Sequence, residues 1–143
     1  MQLTKGYIYI RTHSTYDIYN VCRLGTTSNI FEQNKQSTKD EIEKGGYFNV
    51  VFEVPIENMV SIECSLKKML TELNVLDFNR STSDFYKKTS IQRIEPYLNA
   101  LGIQYKKLNE QEIKTLLKMN IHQKQNNFKN IKIKKRRTFF QIV

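Results

Sequence analysis

Apolar and polar residues alternate with a period of two in two stretches near the start of the chain. These are Tyr7-Ile8-Tyr9-Ile10-Arg11-Thr12-His13 and Val21-Cys22-Arg23-Leu24-Gly25-Thr26-Thr27. Such alternation predicts two strands, with the polar run Ser14 to Asn20 as the turn between them. By parity, Ile8, Ile10, Cys22 and Leu24 share one face, and Tyr7, Tyr9, Arg11, His13 and Arg23 share the other. A half-exposed antiparallel sheet accounts for polar residues on one side. Tyrosines interleaved with cations are nonetheless an unusual way to meet solvent.

A third strand is predicted from Tyr47 to Val54, rich in sheet-favouring residues and closed by Pro55. Phe48, Val50, Phe52 and Val54 should share the face that meets the aliphatic side of the first two strands. Between strands two and three, Ser28 or Asn29 can cap a short helix running toward Gln36. The polar segment 37–46, ending in Gly45-Gly46, reads as a loop with room for one helical turn.

From Ile56 to Asn74 the period changes to that of a helix. Met59, Leu66, Leu70 and Leu73 form one stripe flanked by Ile56 and Ile62, with Glu57, Ser61, Lys68 and Glu72 opposite. Glu63 breaks the pattern, because it lies between Met59 and Leu66 inside the apolar stripe. A carboxylate there costs free energy unless it is paired, coordinates a metal or reaches a cleft. Lys67, four residues on, is one partner, but an i,i+4 pair is worth only about 0.2–0.5 kcal/mol.

Leu76 to Ser83 is a polar connection, followed by Asp84-Phe85-Tyr86. A second helix, capped by Thr89 or Ser90, uses Ile91, Ile94, Leu98 and Leu101 and stops at Gly102; Pro96 predicts a kink or a late start. Ile103 to Leu108 is a short strand or an extended link. Asn109 and Glu112 then form a capping box for a third helix reaching about Asn120. The fold class is therefore α+β: a small three-stranded antiparallel sheet flanked by helices. Residues 1–105 form the domain, 106–122 a C-terminal helix and 123–143 a basic tail.

Charge changes the picture through its distribution. The net charge is +9, yet from Ile121 onward there are seven Lys or Arg and no acid, leaving 16 bases against 14 acids in residues 1–120. The folded part is close to neutral, and the excess sits in a tail containing Lys134, Lys135, Arg136 and Arg137. Such a run is either a solvated tail, a contact for a phosphate backbone, or a nuclear-import signal. The closing Phe139, Phe140, Ile142 and Val143 suit docking on another protein.

Cys22 and Cys64 lack metal-site spacing and fit a reducing compartment, with one disulfide still open. His13 and His122 are the only histidines and lie far apart, which argues against a histidine metal cage. No run of about 18 apolar residues and no signal-peptide core is present. The expectation is a soluble protein inside the cell, cytoplasmic or nuclear, not secreted and not in a membrane.

The two opening stretches also resemble the paired-strand motif of the GIY-YIG nuclease superfamily. The first motif maps onto Tyr7-Ile8-Tyr9 and the second onto Arg23-Leu24-Gly25, followed by Thr26, Thr27, Ser28 and Asn29. Gly6 to His13 reads like the opening of the phage-type DNA-binding branch of that superfamily, found in large DNA viruses. The resemblance covers roughly residues 5 to 105. It implies hydrolysis of a phosphodiester with one divalent cation, Mg²⁺ or Mn²⁺, held chiefly by a glutamate on a helix in the region of Ile62-Glu63. It also implies a tyrosine or a substitute activating water and an arginine facing the transition state.

Carried over residue by residue, the resemblance makes Glu63 the metal ligand and Tyr9 the residue that binds or activates water, with Arg23 where the second-motif tyrosine stands. The helix arginine of the family, eight residues after Gly25, is Gln33 here. Glutamine places neither a permanent charge nor a bidentate fork on a phosphate. Arg11 and Arg23, on one face, are candidates to replace it. His13 is an acid–base candidate or a surface histidine.

Tyr7, His13, Thr27 and the basic tail are candidate nucleic-acid contacts, and Asp84 and Tyr86 are candidates for shaping the cleft. Two functions follow: a metal-dependent endonuclease with a rearranged site of Tyr9, Arg11, Arg23 and Glu63, or a module that has lost catalysis and binds DNA or RNA or recruits a protein. A small adaptor without a nucleic-acid role is the plainer third reading.

Overall fold

The computed structural model describes residues 4–41, 43–75 and 84–119. Strands β1 (Lys5–Thr12), β2 (Val21–Thr27), β3 (Tyr47–Pro55), β4 (Phe85–Lys87) and β5 (Lys106–Lys107) form one antiparallel sheet in the order β4-β2-β1-β3-β5. The helices are α1 (Ser14–Ile18), α2 (Ile30–Asp40), α3 (Met59–Met69), α4 (Ile91–Ala100) and α5 (Glu110–Lys118). The fold is α+β, and the three expected strands are the centre of a five-stranded sheet whose two edge strands are short. Among the described residues no helix is long and apolar enough to cross a membrane.

Both faces of the sheet are covered. Ile8, Ile10, Cys22, Leu24, Phe52 and Val54 pack beneath Ile62, Leu66 and Leu70 and beneath Ile94 and Leu98 of α4. Tyr7, Tyr9, Phe48 and Val51 pack on the other side with Ile30 of α2 and Ile113 of α5. The first cluster follows the parity of the first two strands. The second corrects the half-exposed reading, since Arg11 and His13 are also buried on that side. Tyrosine, arginine and histidine have apolar bodies that can be covered once their polar ends find partners, and for Arg11 and the His13 Nε2 those partners come from α2 and the loop after it.

Phe48 also departs from expectation. The register of β1 and β3 shifts between Ile10 and Arg11, so that Ile10 faces Val50 while Arg11 faces Phe48. The extra residue, Asn49, forms a bulge that reverses the parity of the strand. Phe48 therefore turns away from Val50, Phe52 and Val54 and meets Tyr9 edge to face, at 5.0 Å between ring centroids.

The expected polar turn after β1 contains α1. His13 caps it by accepting from the Thr15 amide at Nδ1 (3.0 Å), and Asn20 leaves it in a left-handed conformation with φ of 56°, which asparagine tolerates. Helix α2 runs four residues past Gln36 to Asp40 because its last turns are tied to the sheet. Arg11 donates through Nε and Nη2 to both oxygens of Glu41 (2.7 and 2.9 Å), through Nη1 to Asn34 (2.8 Å) and through Nη2 to Thr38 (3.4 Å).

The helix expected from Ile56 to Asn74 has single 3₁₀ turns at both ends, Ile56–Asn58 and Thr71–Leu73, with α3 between them. Ile62 lies at the centre of its buried stripe rather than at its flank. Helix α4 begins at Ile91 and continues through Pro96 to Ala100, so no late start occurs; Leu101 is exposed. The capping box of Asn109 and Glu112 forms as expected, and α5 ends at Lys118. Cys22 is buried and Cys64 exposed, and both are free thiols.

Removing one partner of a buried ion pair strands the other charge, at a cost of about 3–5 kcal/mol. Glu41→Ala is expected to lower stability by that amount in urea unfolding. The double variant Arg11→Met/Glu41→Leu is expected to recover most of the loss, since an apolar pair of similar size leaves no charge unpaired. A loss below about 1 kcal/mol for Glu41→Ala, the range of an exposed pair, would show that the pair does not hold α2.

Candidate functional site

The site forms where β2 runs past the end of β4. Strand β4 pairs with Val21, Cys22 and Arg23, and the Leu24 amide donates to the Asp84 carbonyl (2.9 Å). Asp84 is thus held beside the last residues of β2. Tyr9 reaches the same place from β1: its cross-strand partner is Gly25, and its phenol lies where a Cβ on Gly25 would clash with the ring and hydroxyl. The glycine of the second motif is there because a tyrosine lies across it.

Glu63, on α3, closes the group from the aliphatic face. One of its oxygens accepts from Thr26 Oγ1 (3.0 Å), and the other lies 3.2 Å from Lys67 Nζ. The same ammonium donates to Asp84 (2.7 Å). Burial alone would lower the pKa of Lys67. Its hydrogen bond to Asp84 and the nearby charges of Glu63 and Asp84 outweigh burial and leave the pKa above the ordinary value. Lys67 is a resident cation shared by two carboxylates. The carboxylate that looked out of place in the helical stripe is therefore paired, bonded to a hydroxyl and partly exposed.

Burial pushes the Tyr9 phenol up to about 12; Arg23 and Arg11 pull it down, while Asp84 and Glu63 raise it. At neutral pH Tyr9 is a hydrogen-bond donor rather than a base. Arg23 lies on the Tyr9 face, its guanidinium 5.9 Å above the Phe85 ring and its Nη1 3.8 Å from Asp40. Its Nε is buried without a hydrogen-bond partner among the described residues.

No family model, curated protein or solved structure matches this chain. What can be said of its chemistry rests on the residues themselves. Arg23, Asp84, Glu63 and Arg11 all act electrostatically on the Tyr9 phenol, and Lys67 and Thr26 are paired with Glu63.

Arg11 does not join them through any contact. It points under α2, fully buried, with Glu41, Asn34 and Thr38 as partners. His13 is a cap: with Nδ1 accepting from Thr15, its Nε2 donates to the Glu43 carbonyl (2.7 Å). Tyr7 is buried in the cluster that α5 covers. Thr27 closes a local turn, accepting from the Asn29 amide (3.0 Å) and donating to the Asn29 carbonyl (3.1 Å). Gln33 donates to Ser37 one turn along α2 (3.1 Å). Tyr86 belongs to the main core. Lys134, Lys135, Arg136 and Arg137 lie outside the described residues.

The carboxylates of Glu63 and Asp84 and the Thr26 hydroxyl are oxygen donors of the kind Mg²⁺ or Mn²⁺ takes. Among the described residues, however, no three His, Cys, Asp or Glu side chains converge as a metal group. The Lys67 ammonium already bridges the two carboxylates. As arranged, the two carboxylates are occupied by an ammonium, which a divalent ion at this donor set would have to displace.

A phenol whose pKa rises on folding holds its proton more tightly in the folded state. The stabilisation is whole below the unfolded value near 10 and is lost as pH climbs through about 12. Urea midpoints measured from pH 8 to pH 11.5 should fall at the alkaline end, and less steeply in Tyr9→Phe. Identical pH profiles for the two proteins would mean that the phenol is not held as described.

Proposed function

We propose that this chain is a nucleic-acid-binding domain of GIY-YIG type, in which contact with the phosphate backbone has replaced hydrolysis. The observation that carries this reading is the Lys67 ammonium between Glu63 and Asp84. A hydrolytic site of the GIY-YIG kind would need a carboxylate free for a metal and an acceptor for the proton of water. Here both carboxylates are engaged by Lys67, and Tyr9 keeps its proton. Of the two arginines that could compensate for Gln33, Arg11 is spent on Glu41, which leaves Arg23.

The partner is DNA, with RNA chemically equivalent for backbone contact. The basic run Lys134 to Arg137 supplies sequence-independent attraction, and the C-terminal residues offer a contact for a second protein.

One observation favours the second reading, a Mg²⁺- or Mn²⁺-dependent endonuclease. Arg23 and Glu63 both act electrostatically on Tyr9, three residues that the resemblance would group in an active site. In that reading Lys67 must leave Glu63 before a metal can enter.

The test uses the full chain with supercoiled plasmid, with and without Mg²⁺ or Mn²⁺, beside Glu63→Ala, Lys67→Ala and Gln33→Arg. Retardation of DNA at low salt, weakening steeply as salt rises and without nicking, is the expected result. Nicking by the parent that disappears in Glu63→Ala would establish the endonuclease instead. Failure of the parent to retain DNA at low salt would overturn both readings in favour of the adaptor.

A further inference from the structure

Arg11 and Arg23 stand directly opposite each other on β1 and β2. Two like charges at such a position repel, and the chain answers with two consecutive acids at the end of α2. Glu41 takes the Nε and Nη2 edge of Arg11 at hydrogen-bond distance, while Asp40 comes only to 3.8 Å from Arg23. The two arginines therefore differ in kind.

The Arg11 side chain makes four hydrogen bonds and is fully buried. The Arg23 side chain makes none among the described residues. Its Nε is buried and unpartnered, its guanidinium lies over Phe85, and 15% of the side chain remains accessible. An apolar chain of the same length would fill that place without a buried, unsatisfied donor. Arg23 is thus poorly explained as a structural residue.

The arrangement also defines what Arg23 can receive. With Nε buried, the Nη groups are the donors left for the accessible part of the side chain, and a planar fork of two such groups matches the paired oxygens of a phosphate. Asp40 is the only carboxylate paired with it among the described residues. It stands at ion-pair distance without a hydrogen bond, on a side chain that is 48% accessible. The Tyr9 phenol, protonated at neutral pH, is a second donor on the same face.

We infer that Arg23 is the anchoring contact for one backbone phosphate of a nucleic acid, and that Asp40 is an internal carboxylate which that phosphate displaces. The inference rests on the nucleic-acid reading above and adds the residue that grips the ligand and the one that restrains it. Arg11, by contrast, cannot take part without giving up Glu41.

The experiment is fluorescence anisotropy of a labelled 20-base-pair DNA duplex titrated with the full chain over a series of salt concentrations. The proteins compared are the parent, Asp40→Asn, Arg23→Met, the double variant and Asp17→Asn. Asp17 is an exposed acid of α1 paired with Lys88 and serves as the charge control. Asp40→Asn should tighten binding by about two- to fivefold, the range that an exposed ion pair is worth. Arg23→Met should weaken it by about tenfold and reduce the salt slope by about one. Its melting temperature should be no lower than that of the parent. The double variant should show no gain from Asp40→Asn, and Asp17→Asn should bind as the parent does.

If the parent binds and neither Arg23→Met nor Asp40→Asn changes its affinity, the inference falls while the nucleic-acid reading stands. A gain in Asp17→Asn equal to that in Asp40→Asn would also overturn it, by reducing the effect to net charge. If no protein in the series binds at the lowest salt, both fall together.

Discussion

An arginine and a glutamate with almost no exposure to solvent, Arg11 and Glu41, join the sheet to its second layer. Taking two charges out of water costs more than their mutual attraction returns unless the remaining donors and acceptors are also satisfied. In this chain they are. Both carboxylate oxygens accept from Arg11, Asn34 and Thr38 take further N–H groups, and the guanidinium lies 5.0 Å from the centre of the Phe48 ring. Several features that look independent follow from this one pair. Helix α2 must continue to Asp40 so that Glu41 arrives above Arg11. The bulge at Ile10 and Arg11 turns Phe48 onto the face where it covers the guanidinium. Gly46 must lack a side chain, because a Cβ there would run into the Glu41 carboxylate.

This dependence explains which parts of the fold were legible in the sequence. The strands, the amphipathic character of α3 and α4 and the capping box of α5 rest on residues within a few positions of one another, and local periodicity reveals them. The end of α2, the bulge and the burial of the Tyr9 face rest on Arg11 and Glu41, thirty residues apart. No local pattern encodes that meeting, and residue type misleads there, because tyrosine, arginine and histidine usually signal a wet surface. The edge strands are less legible for a related reason: β4 gives no strand signal and β5 reads as either a short strand or an extended link, because at three and two residues they carry no readable alternation.

The site divides in the same way. Glu63 stood out because a carboxylate interrupts a helical stripe, and Lys67 was visible one turn away. Asp84, which makes the pair into a cluster, immediately precedes β4, seventeen residues further along, and no spacing rule links it to Lys67. Asp40 gave no signal at all, since it sits in a polar run that reads as a loop. The difference between the two arginines was equally hidden: alternation puts them on one face, and only the counterions distinguish them.

Charge pairing within the domain bears on what the rest of the chain can do. Among the described residues, Glu41 is committed to Arg11, Glu63 and Asp84 to Lys67, Asp17 to Lys88 and Glu112 to Lys106. A domain that neutralises itself in this way exerts little long-range pull on a polyanion, so under the proposed reading attraction at a distance comes from the C-terminal cations. What the domain adds is a short-range arrangement of donors. Arg23 on one face of the sheet and Lys67 on the other each carry N–H donors that an oxyanion can accept from, while Glu63 and Asp84 are occupied by Lys67. Binding a phosphodiester requires only such donors. Cutting one also requires an acceptor for the proton of the attacking water, and the carboxylates placed to serve are tied to Lys67. Under the proposed reading, the choice between holding a nucleic acid and hydrolysing it turns on the Lys67 ammonium rather than on the fold that carries it.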